Sequence, residues 1–104
     1  MQNKLLDLVG ASNIDSWNHA LEMGGYIEFI GATGVLGCYM ENGYVILVAW
    51  DKTGKFKHSL ISRMKMIGRA HNKVVVASSV ATIEKHLATF GFRFDVANKL
   101  YIRG

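Results

Sequence analysis

The chain contains no proline and one cysteine, Cys38, in 104 residues. A lone cysteine cannot close an internal disulfide, so the sequence predicts a fold held by its core and made in a reducing, cytoplasmic setting. With no proline, no low-complexity tract and no internal repeat, neither a linker nor a solenoid is indicated. No apolar run approaches the ~18–20 residues of a membrane-spanning helix, so no membrane partner is expected. Met1-Gln2-Asn3-Lys4 leads straight into an amphipathic segment and not into a secretory h-region. Apolar residues, by contrast, are plentiful, at 50% of the chain. That is enough for one core and is the opposite of a disordered composition. One domain over residues 1–104 is the expectation.

The net charge of +4 conceals an asymmetry. Before Lys52 stand Asp7, Asp15, Glu22, Glu28, Glu41 and Asp51 against Lys4 alone. From Lys52 onward, eleven Lys and Arg face only Glu84 and Asp95. Such a split predicts a positive field around residues 52–73 and an anionic partner for it, or two solvated faces that attract each other within one fold.

Hydrophobic periodicity divides the chain into elements. Leu5, Leu6, Leu8 and Val9 form a helical patch ending near Gly10, and Ser16 is placed to cap a second helix carrying Trp17, Ala20, Leu21 and Met23, stopped by Gly24-Gly25. Three strands follow, at Tyr26–Ile30, Val35–Met40 and Tyr44–Trp50. The Asn42-Gly43 pair marks the second turn as a tight hairpin. The unbroken apolar run of the third strand predicts cover on both faces. Phe56, Leu60, Ile61, Met64 and Ile67 then make one stripe of a basic helix over 55–71. Lys73–Ala77 reads as a buried strand parallel to the third, because a helix joins them. A last helix starts at Ser78 or Ser79, carries Ile83, Leu87 and Phe90, and ends at Gly91. Phe92–Val96 and Lys99–Arg103 close the chain as a hairpin about Ala97-Asn98. The fold class is α+β.

This order resembles the GNAT superfamily of N-acetyltransferases over roughly residues 15–104, most specifically in the strand–helix–Gly-Phe stretch Val76 to Phe94. The resemblance implies one mixed sheet: an antiparallel meander, a β-α-β crossover, then a helix and a C-terminal hairpin. It implies acetyl-CoA as cofactor, held in a notch where the two parallel strands splay. Among variants, short GNAT-like proteins of tailed bacteriophages, including internal virion proteins, are most similar. They point to a host cytoplasm or a virion.

Against the family's pyrophosphate loop, Gln/Arg-x-x-Gly-x-Gly/Ala, this chain has Asp51-Lys52-Thr53-Gly54-Lys55-Phe56. Glycines there let helix N-terminal amides approach phosphates, where the dipole favours negative charge. Gly54 matches. Asp51 puts an acid where a polar or basic residue is expected, and Phe56 puts a ring at the close-approach position. The resemblance makes Lys52, Thr53, Gly54, Lys55, Phe56, Lys57 and Ser79 the cofactor-binding candidates. The family's pantetheine-holding Asn and acid Tyr fall near Val80 and Leu87, which can do neither job. Ser79, His86 and Tyr101 are substitutes nearby in sequence, and Glu28 is the one carboxylate placed to serve as a base.

The remaining reactive side chains are quieter. Cys38 lies mid-strand and reads as a small buried hydrophobe. His19, His58, His71 and His86 have no ligand spacing, so no metal is expected. Methionines in helical segments read as core filler. Three functions are ranked in order: a GNAT-like protein that binds a protein partner with catalysis reduced or lost, an acetyl-CoA-dependent N-acetyltransferase, and a nucleic-acid binder using the basic helix 55–71. Homodimerisation through an edge strand is a further expectation.

Overall fold

The computed structural model describes residues 2–71, 73–77, 91–95 and 100–103. The expected last helix, with Ser79 and His86, and the turn at Ala97-Asn98 lie outside these residues. What is described is an α+β domain with one mixed sheet. Helices α1 (Gln2–Val9) and α2 (Ile14–Glu22) precede strands β1 (Tyr26–Ile30), β2 (Gly34–Glu41) and β3 (Tyr44–Asp51). Helix α3 (Lys57–Ala70) leads to β4 (Val74–Ala77), β5 (Arg93–Asp95) and β6 (Leu100–Arg103). The six strands lie in the order β1-β2-β3-β4-β6-β5.

The meander forms as its turn residues dictate. Asn42 and Gly43 take φ of 53° and 80°, the left-handed pair that matches the twist of a two-residue hairpin, and Glu41 pairs with Tyr44 across it. Helix α3 then carries the chain back so that β4 runs parallel to β3, from Val45↔Val74 to Val48↔Ala77. Strand β6 inserts between β4 and β5, antiparallel to both.

Strand alternation sorts the core into two layers. On one face Leu36, Cys38, Val45, Leu47 and Ala49 pack against Leu60, Ile61, Met64 and Ile67 of α3. On the other, Val35 meets Leu5, Val9 and Trp17 of α1 and α2, with Val48 and Trp50 half-buried beside them. The cover on both faces of β3 expected from its apolar run is present. Trp50 Nε1 donates to the Leu8 carbonyl at 2.7 Å, which satisfies the indole and ties α1 to the sheet.

Three local expectations need correction. Helix α2 starts at Ile14, not after Ser16: Asn13 occupies the cap position and its amide donates back to the Val9 carbonyl at 3.0 Å. Helix α3 starts at Lys57, two residues later than the periodicity suggests, because Phe56 is held in the preceding loop. Met23 and Met66 are not core filler: they are 41% and 61% exposed, and only Met64 is buried in the α3 layer.

Candidate functional site

The segment between β3 and α3 holds the cofactor-binding candidates Lys52 to Lys57, and its geometry follows from Asp51. This last residue of β3 alternates inward and is 6% exposed, the one buried charged residue among those described. Its Oδ1 accepts the Thr33 hydroxyl at 2.6 Å and the Thr53 N–H at 3.1 Å, and Oδ2 accepts the Phe56 N–H at 2.6 Å. Burial pushes the carboxyl up. Bonds from Thr33 and from the N–H groups of Phe56, Thr53 and Gly54 outweigh it and hold Asp51 below the ordinary carboxylate range. The loop therefore does form an amide cradle for an anion at the head of a helix. The anion in it is the chain's own carboxylate.

The remaining loop residues support that arrangement. The Thr53 hydroxyl lies 2.8 Å from Thr33 Oγ1 and accepts the Lys55 N–H at 3.3 Å, joining the β1–β2 turn to the loop. Gly54 takes φ +75°, with open space where a Cβ would stand. Its match to the family motif is thus a backbone requirement of the turn around Asp51. The Phe56 ring lies against Gly31, where an added Cβ would overlap it. Lys52 and Lys55 are exposed, and Lys52 Nζ reaches the Asp7 carbonyl at 3.3 Å. Lys57 opens α3.

Of the catalytic candidates Glu28, His86 and Tyr101, only Glu28 has a described side chain. Glu28 sits on β1, where Oε2 is 2.9 Å from Arg63 Nε of α3, so an ion pair holds the carboxylate proposed as a base. Tyr101 is on β6, its backbone paired with Val76 and Phe94. His86 and Ser79 lie outside the described residues. Cys38 is buried; desolvation pushes its thiol up, against smaller opposite effects of the Tyr26 hydroxyl and Arg63, which makes it a poor nucleophile at neutral pH. No group of three or more His, Cys, Asp and Glu able to hold a metal ion occurs among the described residues, and no described helix is long and apolar enough to cross a membrane.

Two concavities flank the meander. One, of about 550 Å³, opens between α2 and the sheet, bounded by Asp15, Ser16, His19, Tyr39 and Trp50. The His19 ring stands edge-on to Tyr39 at 5.2 Å, and its Nε2 is 3.8 Å from Glu41. The other, of about 460 Å³, lies on the opposite face between the Gly24-Gly25 turn and the flank of α3.

Along the basic stretch proposed for nucleic acid, Lys52, Lys55, Arg69 and Lys73 are exposed, while Lys57, Arg63 and Lys65 are half-buried.

An Asp two residues before Thr-Gly is a legible signal for an Asx turn, and hence for self-capping of the loop. Nothing in the sequence announces Thr33 as the partner 18 positions away. No protein-family model, curated protein or solved structure matches the chain.

Proposed function

We propose that the chain is a GNAT-like domain that acts by binding a protein partner, a host factor or a virion component, with acyl transfer reduced or lost. The observation that carries this reading is the Asp51 carboxylate inside the loop, bonded to Thr53 and Phe56 amides. A pyrophosphate would need those same N–H groups and would meet a buried negative charge. The engagement of Glu28 by Arg63 supports it too, because a base held in an ion pair is a poor proton acceptor.

The GNAT-like part of the reading is supported by the order of the described strands and by the one parallel pair among them, β3 with β4. The second reading is an acetyl-CoA-dependent N-acetyltransferase, for which the resemblance puts the cofactor notch between β3 and β4. Calorimetric titration with acetyl-CoA separates the two. No saturable heat up to millimolar ligand is expected; saturable binding restores the enzyme.

A further inference from the structure

The Asn42-Gly43 turn carries a chemistry that the hairpin itself does not use. Both residues are exposed, and open space surrounds the position where a Cβ on Gly43 would stand. Among the described residues, neither the Asn42 side-chain amide nor the Gly43 backbone N–H has a hydrogen-bond partner. An electrophilic carboxamide and the nitrogen of the next peptide bond thus stand side by side with nothing to hold or shield either. Glycine at the second position matters, because it places no side chain over the attacking nitrogen.

The other asparagines of the chain differ. Lys follows Asn3, Asn72 and Asn98, Ile follows Asn13, and His follows Asn18, so a side chain flanks each of those nitrogens. The Asn13 amide is also engaged, by the Val9 carbonyl at 3.0 Å. Asn18 lies inside α2, where the backbone is set by the helix.

We infer that Asn42 is a site of spontaneous deamidation, and that its isoaspartyl product undoes the tip of the β2–β3 hairpin. The Gly43 nitrogen bonds to Asn42 Cγ, the Cγ–Nδ2 bond breaks, and ammonia leaves with the proton of the Gly43 N–H. The cyclic imide then takes up a solvent water at one of its two carbonyls. Opening at the side-chain carbonyl gives aspartate. Opening at the main-chain carbonyl gives isoaspartate, whose backbone runs through the former side chain and is one methylene longer. The two-residue turn depends on φ of 53° and 80° at these positions, which the longer link does not reproduce. The Glu41↔Tyr44 pairing across the turn is then lost, and with it the approach of Glu41 to His19 Nε2 at 3.8 Å.

The test incubates the full chain at pH 8 and 37 °C and follows it by peptide mapping and amide ¹H–¹⁵N spectra. The Asn42 peptide is expected to become about 1 Da heavier, at least tenfold faster than a peptide holding any other asparagine, and to separate into aspartyl and isoaspartyl forms. The Glu41 and Tyr44 amide peaks should fade in step with the isoaspartyl form. Asn42→Gly, which keeps a residue suited to the left-handed turn and has no side-chain amide, should hold those peaks through the same incubation. Asn42→Asp should show them at the outset, because Asp-Gly suits the same turn, so the added charge does not account for their loss. A mass gain at Asn42 no faster than elsewhere, or an aspartyl product without the isoaspartyl one, would overturn the inference. So would hairpin peaks that persist in the isoaspartyl chain or fade equally in Asn42→Gly.

Discussion

The Phe56 backbone N–H points at Asp51 Oδ2 across 2.6 Å, so the start of α3 is held by a carboxylate from the end of β3. The same carboxylate takes Thr33 from the β1–β2 turn. One buried charge thus joins three segments and uses the amides that a phosphate would need.

Asp51→Asn should be destabilising without unfolding the protein. It replaces charge-assisted bonds by weaker neutral ones and turns an amide N–H toward donors. A loss of about 2–3 kcal/mol is expected in urea denaturation at pH 7.

The pH dependence has a defined sign. Asp51 is held below its unfolded value of about 3.9, so its stabilisation is fully present above that pH and is lost as pH falls through the lower folded value. Wild-type stability should fall below about pH 4 more steeply than that of Asp51→Asn, which lacks this titration. Parallel acid limbs for the two proteins would contradict the bonding described.

Gly31 and Phe56 should be coupled. Gly31 has φ +66°, and a Cβ there overlaps the Phe56 ring. Gly31→Ala is expected to cost about 2–4 kcal/mol from left-handed strain plus overpacking. In a Phe56→Ala background the same change should cost only about 1–2 kcal/mol, the strain alone, as a double-mutant cycle by chemical denaturation would read.

Cys38 should resist alkylation. Its thiol is buried and pushed up by desolvation, so iodoacetamide at pH 7.5 should label the folded chain at least tenfold more slowly than the urea-unfolded chain. Comparable rates would contradict its placement in the core.

Much of the fold was legible because local chemistry and global packing agree in this chain. Asn42-Gly43 announced its hairpin, Gly24-Gly25 its turn, and the Leu60–Met64–Ile67 stripe its buried face. The errors arose where a side chain answers to something distant. Phe56 continued the apolar period of α3 in sequence, yet it belongs to Gly31 and lies ahead of the helix. Met66 sits two positions beyond the buried Met64 on the same helix, which turns it to the opposite side. At the candidate site, the sequence exposed Asp51 and Phe56 as departures from the phosphate-loop pattern. That Asp51 fills the loop itself depends on Thr33 and on a carboxylate folding back over its own following residues, which motif comparison does not encode.

The most direct test is an amide ¹H–¹⁵N titration of the full chain with acetyl-CoA, followed at Thr53, Gly54 and Phe56. With these amides turned to Asp51, no saturable shift at the three is expected up to millimolar ligand. Saturable shifts centred on them would mean that the cofactor displaces the Asp51 carboxylate, and the loop would then be a working pyrophosphate site.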